Sequence, residues 1–575
     1  MPEKAYASNT YNKDNDNPTN SQPSKQHPLY KTSGTGKSEA ALVCKKCLKR
    51  KEIYPKTQVS YMLKSNQAAY EEFKRLSSYL DADEIKCRNA ECSSNMGGTA
   101  KLKKRGLAAS GNQRYQCLVC NKGFTDSDGS RRHLRPEINL RFFDLLVAKV
   151  PLRKIAKLLN ISTRTIYTKI DFLHKQCLAF VGERENKLSN GKLKLDRLYL
   201  ATDRQIQTTN WSQKEDKRNT ELYGIGTACL KTGYVFGFNF NFDNSISQKE
   251  AEEVAVSNTD LVKPKHHRTT ARIWLEQDFE EAAKKKKSKD LPKSELIDRA
   301  EQKSKEEAVY NQSLSSEDFD KTTKLPSNGV LIHNEYTMLG HFLLLKRLFK
   351  HVGKTRFYMD QDTGMKNAYL SIFKDNILHD TSHGFLVRSE KNTTVNEKQT
   401  ALGETNKLIK EMTGIARHKL SSKEFRDVVN ELILDKMDKL ITVANSNDKW
   451  LEYPIATNPE PSKIVAAITD ISSYDLTHQA NLYRKASLHA IDRFFMISRR
   501  DVSLLERGFS SSTNKARVWN GYNAYDPAML AKVGDIYRVY FNYVNTNQKR
   551  KTPAMRLGLA KGPVTSTKII YFGKY

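Results

Sequence analysis

Two cysteine pairs, Cys87-x4-Cys92 and Cys117-x2-Cys120, constrain the fold of this chain more than any other feature. Each pair offers two thiolates from one turn, and a hairpin between the pairs lets all four converge on a tetrahedral ion. Gly97-Gly98 and Gly111-Asn112 supply turns, and Gln113-Arg114-Tyr115 reads as a strand leading into the second pair. Lys122-Gly123-Phe124 follows, with the glycine expected to relax the second knuckle. The expectation is a zinc ribbon in which Cys87, Cys92, Cys117 and Cys120 hold a structural Zn2+. A pair of disulfides is the bland alternative and is disfavoured in a reducing interior. His133, separated from Cys120 by twelve intervening residues, lacks the second histidine of a two-Cys, two-His finger and reads as a surface residue. Cys44-x2-Cys47 is a third pair with no clear mate; His27 is one candidate, and a second metal site stays open. Cys177 and Cys229 lie in apolar contexts and read as core.

The charge balance names the class of partner. Lys+Arg is 96 against Asp+Glu 65 over 575 residues, a formal net charge of +31. Such an excess favours a polyanion, because each phosphate neutralised releases condensed counterions. No apolar run reaches the length of a membrane span, and the N-terminus has no apolar signal core. A cytoplasmic, nucleoid-associated chain without membrane contact is expected.

Length alone implies several domains. Residues 1–38 read as a disordered basic tail, 39–135 as the zinc-ribbon region and 136–185 as a helical module. Apolar segments at Leu198-Tyr199-Leu200-Ala201, Leu222 to Gly226 and Tyr234 to Phe238 predict strands, the last two joined through Lys231-Thr232-Gly233. A helix over Met338–Phe349 and a strand at Arg356–Met359 continue the same domain, so 195–243 and 326–545 form one mixed α/β unit. The stretch 244–325 is charged and reads as an insertion of solvated helices. Residues 363–470 read as mostly helical and polar, and 546–575 as a C-terminal tail.

Residues 137–177 carry a helix-turn-helix pattern. Leu152, Ile155, Leu158 and Leu159 share a face, Asn160-Ile161-Ser162 turns the chain, and Ser162 or Thr163 can cap the next helix. Ile166, Ile170 and Leu173 then point inward, which exposes Thr163, Arg164, Thr165, Tyr167 and Lys169. Short polar and basic side chains at a helix N-terminus suit base edges and phosphates, so double-stranded DNA is the expected partner.

Phosphoryl transfer by two metal ions needs carboxylates from separate segments to converge. An RNase H-like sheet does this with one acid on its first strand, one after its fourth, and one on a late helix. Asp203 ends the first strand pattern, and Asp360 ends Phe357-Tyr358-Met359-Asp360, with Asp362 as a fallback. Asp196 lies too early in the strand to favour. The late helix is predicted over Tyr483–Ser498 and carries Asp492; Glu506 is the alternative third acid, and Asp501 a more distant one. Arg493, Arg499, Arg500 and Arg507 recur around it at partly helical spacing and would track a DNA backbone, or form a solvated basic face.

These residues resemble an insertion-sequence family of DDE transposases that open with a zinc ribbon. The resemblance is carried by the ribbon ending Gln113-Arg114-Tyr115-Gln116-Cys117, by the helix-turn-helix, and by Asp203 followed by a Gly-rich hairpin. HAIDRFFMISRRDVSLLERGFSS (489–511) is similar to the family's His-x-x-Glu-Arg-Phe-Asn helix and its Arg- and Ser-rich sequel. Tyr540-Phe541-Asn542-Tyr543 and Thr552-Pro553-Ala554-Met555-Arg556-Leu557-Gly558 resemble its closing marks. It covers about 80–575, with gaps at 244–325 and 363–470, and one departure: Asp492 stands where the family has Glu. The resemblance implies a zinc ribbon, a helix-turn-helix and an RNase H-like α/β catalytic domain with helical insertions. It further implies Mg2+ or Mn2+ on Asp203, Asp360 and Asp492, cutting and rejoining of transposon ends and target DNA, and a homo-oligomer. The rival reading is a non-catalytic DNA-binding regulator derived from such a protein.

Overall fold

The apolar run Leu198-Tyr199-Leu200-Ala201 lies within the longest strand of a mixed sheet, and the rest of the molecule is arranged around it. The computed structural model describes residues 64–81, 102–108, 113–125, 135–210, 215–284, 322–389, 393–442, 448–510 and 518–572. It also describes short pieces at 30–33, 41–45, 48–49 and 60–62, and the single residues Cys87, Asn89 and Cys92. His27, Cys47, Gly97, Gly98, Gly111, Asn112, His133 and Trp211, most of the predicted tail and residues 285–321 lie outside the described residues.

Near the N-terminus, Tyr30–Ser33, Ala41–Cys44 and Ser60–Met62 form a small antiparallel sheet. Residues 30–33 are therefore paired rather than part of a structureless tail. Helix α1 (Asn66–Ser77) follows, capped by Ser65, whose hydroxyl accepts the Ala68 N–H at 3.1 Å. Strands β1 (Leu102–Leu107), β2 (Gln113–Cys117) and β3 (Gly123–Thr125) make a separate three-stranded antiparallel sheet, with Cys117 ending β2 and Cys120 in the turn that follows.

The helical module is α2 (Asn139–Leu146), α3 (Leu152–Leu159) and α4 (Thr163–Ser189). Asn160 closes α3 in the left-handed conformation (φ 49°), and Ser162 caps α4 by accepting the Thr165 N–H at 3.2 Å. The 27 residues of α4 rise about 40 Å, so its N-terminal end faces outward while its C-terminal half runs into the main core. There Glu185, fully buried, accepts from Tyr79 Oη (2.5 Å), Tyr234 Oη (2.7 Å) and Arg538 Nη1 (2.8 Å).

The central sheet contains β4 (Leu195–Thr208), β5 (Glu221–Cys229), β6 (Val235–Phe240), β7 (Val352–Asp360) and β8 (Ser382–Ser389). Three further strands are β9 (Ile441–Thr442), β10 (Lys449–Glu452) and β11 (Lys463–Ala467). The strand order is β9-β10-β11-β8-β7-β4-β5-β6. The β4, β5 and β6 strands are antiparallel, whereas β7 runs parallel to β4, and β8 parallel to β7. The mostly helical reading of 363–470 thus overlooked four sheet strands. Ser382-His383-Gly384-Phe385-Leu386-Val387 opens on small and polar residues, yet it is buried on both faces, so no alternation advertises it.

Helices cover both faces. One carries α5 (Asn334–Leu348) and α6 (Thr363–Ile372); the other carries α7 (Leu476–Arg484), α8 (His489–Asp501) and α9 (Pro527–Tyr543). The single late helix expected over Tyr483–Ser498 is two helices. Buried Glu460 accepts the Leu488 N–H at 2.8 Å and its partner Lys463 donates to the Ala486 carbonyl at 2.6 Å, which holds the break open. The 244–325 insertion is not merely solvated helices: Trp274 is fully buried against His333 (ring centroids 3.9 Å), and Ala251, Ala271 and Ile273 share a small core with α1. The C-terminal stretch also docks, with Ile569 and Ile570 buried and Tyr571 Oη donating to the Pro136 carbonyl at 3.1 Å.

Candidate metal centre and acidic site

Sγ atoms of Cys87, Cys92, Cys117 and Cys120 all lie within 4.8 Å of one another. Cys117 terminates β2, and its N–H donates to the Lys122 carbonyl at 3.1 Å, which folds the second knuckle. The left-handed residue that lets the knuckle turn is Asn121 (φ 55°), not the expected Gly123. Burial and the neighbouring thiols outweigh the Asn89 amide and push Cys87 up to about 12, while the Lys122 amide chiefly holds Cys120 below the usual thiol value. Four converging sulfurs on a small ribbon fit a zinc ion by donor set and spacing, and that ion would cross-link segments with little apolar core of their own. Cys44 is half-buried, and Cys177 and Cys229 are buried in the main core as expected.

Register aligns the acids of the sheet. Met359 on β7 pairs with Thr202 on β4, so the next residues in line are Asp360 and Asp203, on neighbouring strands about 4.8 Å apart. Paired residues point to one face, and here it is the face covered by α8: Asp203 stands opposite Gly226 of β5. A Cβ on Gly226 would meet Ile491 Cδ1 at 2.8 Å and Phe495 Cε1 at 3.1 Å. Glycine therefore lets α8 lie against the sheet, with Asp492 in its first turn beside Ile491.

Arg499 lies two turns along α8 from Asp492. Its Nη1 donates to Gln205 Oε1 on β4 at 2.6 Å. Burial, and then Arg507, hold the guanidinium down to about 10, against the opposing pull of Asp492 and Asp203. Arg499 thus senses both carboxylates, and α8 and β4 converge there. Gln205 was not anticipated; its signal was its place two residues beyond Asp203 on the same face. Asp203 is 3% exposed and its Oδ1 accepts the Arg204 N–H at 2.7 Å. Among the described residues, the cysteines are the set drawn together tightly enough for one ion, and the three carboxylates are more widely spread.

The alternatives sit elsewhere. Asp362 caps α6, accepting the Met365 N–H at 3.0 Å, and pairs with Arg204 at 2.7 Å. Glu506 lies past the C-terminal end of α8 and pairs with Lys149 at 3.2 Å. Asp501, also at that end, accepts from Tyr537 Oη at 2.6 Å, and Asp196 is exposed near the start of β4.

On the helix-turn-helix, Arg164 and Tyr167 are exposed, and Thr165 is half-buried within the cap. Lys169 corrects the expectation: it is 3% exposed, donates to Asn139 Oδ1 at 2.6 Å, and is turned toward α2 rather than outward. Ile166, Ile170 and Leu173 are buried as expected, but Leu158 is exposed. Arg493, Arg500 and Arg507 are exposed around α8. Among the described residues no helix is long and apolar enough to cross a membrane.

No family model matches this chain, and no curated protein matches it either.

Proposed function

We propose that the chain is a DDE-type transposase: a DNA-binding enzyme that cuts and rejoins DNA strands with two divalent metal ions held by Asp203, Asp360 and Asp492. The observation that carries the reading is the shared register of Asp203 and Asp360 on adjacent parallel strands, beneath a helix that bears Asp492 and whose Arg499 feels the charge of both Asp492 and Asp203. Three antiparallel strands followed by two parallel ones is the order of an RNase H-like sheet, and the acids occupy its first strand, its fourth and a late helix. Two catalytic ions sit about 4 Å apart, so their ligands need a wider spread than a one-ion cage. The third ligand is Asp492 rather than Glu506, which Lys149 engages at the far end of the helix.

In this reading Mg2+ or Mn2+ supplies Lewis acidity for the attacking and leaving oxygens. Asp203, Asp360 and Asp492 provide oxygen donors, and Arg499 balances their charge. The zinc ribbon and the exposed Arg164 and Tyr167 bind double-stranded DNA at the element ends, while Arg493, Arg500 and Arg507 follow the backbone beside the acids. Joining two ends would bring at least two copies together. Localisation with the nucleoid would follow from DNA binding.

The test is cleavage and strand joining, in Mg2+ or Mn2+, on DNA flanking the chain's own gene. Asp203→Ala, Asp360→Ala and Asp492→Ala should each lose about a thousandfold or more, and Glu506→Ala should keep most activity. Wild-type binding without cleavage would favour the non-catalytic regulator instead.

A further inference from the structure

The loop between α2 and α3 carries a residue whose contacts lie at the C-terminal end of α8, the helix that also bears Asp492. Lys149 is left-handed at φ 62°, a conformation unusual for a residue with a side chain, and it spends that strain on one neighbour. Its N–H donates to the Asp501 carbonyl at 2.6 Å, and its Nζ donates to the Arg499 carbonyl at 2.6 Å. Both carbonyls belong to the last turn of α8, where a helix has no partners of its own and where positive charge is favoured. The same ammonium pairs with Glu506 at 3.2 Å, whose Oε2 is buried without a hydrogen-bond partner among the described residues. Next door, Ser503 Oγ donates to the Val150 carbonyl at 3.3 Å.

We propose that Lys149 is a positioning residue that couples DNA engagement to the acidic site: it caps, from inside the helix-turn-helix, the helix that carries Asp492 and Arg499. The inference rests on the strand-transfer reading for its consequence, but the clamp itself is a property of two packed elements. A shift of the DNA-reading module pulls on the Arg499 and Asp501 carbonyls and so moves the helix along the sheet. Lys149 lies away from the exposed face bearing Arg164 and Tyr167, so its loss removes no direct DNA contact and changes affinity only by the coupling itself.

The experiment compares the full-length wild type with Lys149→Met, which keeps the stem, and Lys149→Arg, which keeps the charge. Amide hydrogen exchange over 494–502 is followed with and without a mixed-sequence DNA duplex, alongside gel-shift affinity and cleavage kinetics. In Lys149→Met, exchange over 494–502 should quicken about tenfold while the sheet strands keep their protection. The duplex should slow these amides in the wild type and not in Lys149→Met. Cleavage kcat should fall about tenfold with KM unchanged, and Lys149→Arg should restore most of it. Equal exchange in wild type and Lys149→Met, or no duplex effect in the wild type, overturns the coupling; so does a loss confined to KM. If the wild type shows no cleavage, the strand-transfer reading falls, and duplex-dependent exchange still decides the coupling. Should Lys149→Met fail to fold, Ser503→Ala loosens the same junction and takes its place.

Discussion

Asp203 on β4 stands directly opposite Gly226 on β5, and the missing side chain of that glycine is the space into which Ile491 and Phe495 of α8 settle. The acid and the helix that faces it are thus brought together by an absence of volume. Gly226→Val should overpack this contact and destabilise the protein by about 1–3 kcal/mol, with a disproportionate loss of metal-dependent cleavage. Urea unfolding and cleavage rate measured together check it; unchanged cleavage would mean that α8 does not need this approach.

The N-terminal end of α4 separates surface from core. Arg164→Ala should weaken duplex binding and lower the salt slope by about 1, because one phosphate contact is lost. Lys169→Met should instead lower the thermal midpoint, since Lys169 is buried on Asn139. Fluorescence anisotropy at several salt concentrations, with thermal melts of both variants, separates the two effects.

Metal content tests the ribbon. The wild type should hold one zinc ion by elemental analysis, and Cys87→Ser or Cys117→Ser should reduce it to none or nearly so. The main sheet should keep its unfolding midpoint, because the cysteines form a cluster of their own apart from the principal core. A full zinc equivalent in both variants would remove Cys87 and Cys117 from the ligand set.

Acid should weaken the fold through buried histidines. His341 accepts from Asn239 Nδ2 at Nδ1 and contacts Thr227 Oγ1 through Nε2, both at 2.8 Å, and burial lowers its proton affinity to about 3. Burial likewise lowers His266 to about 3 and, aided by Arg356, His383 to about 4. The unfolded chain binds these protons near the ordinary value of 6.5, so the stability they contribute is complete above that pH. It is lost as pH falls from 6.5 toward 3, by about 1.4 kcal/mol per unit for each group. His341→Gln should reduce the slope of stability against pH by about one proton between roughly pH 6 and 4.

Glu185 joins α4 to the central sheet through Arg538 and two tyrosines. Glu185→Ala should cost about 3–5 kcal/mol, because Arg538 is left as a buried charge without its carboxylate. Double replacement with Arg538→Met should recover part of that loss in urea titrations.

Local features were legible in the residues themselves. Cysteine spacing located the four-cysteine cluster, short apolar segments located β4 to β6, and Asn160 with Ser162 announced the turn and cap between α3 and α4. Two closing motifs proved to be structural devices. Asn542 brackets Val235 at the edge of the sheet through both backbone groups, and Thr552 and Gly558 cap the ends of one short helix. Each of these depends on neighbours a few residues away or on one polar pair. The tertiary structure alone decided which acids share a face, because a parallel pairing joins Asp203 to Asp360 across more than a hundred residues of intervening chain. It alone turned Lys169 inward, brought Lys149 onto the end of α8 and assigned Glu506 to that lysine. Burial and strand register are set by long-range packing, and no short window of sequence contains them.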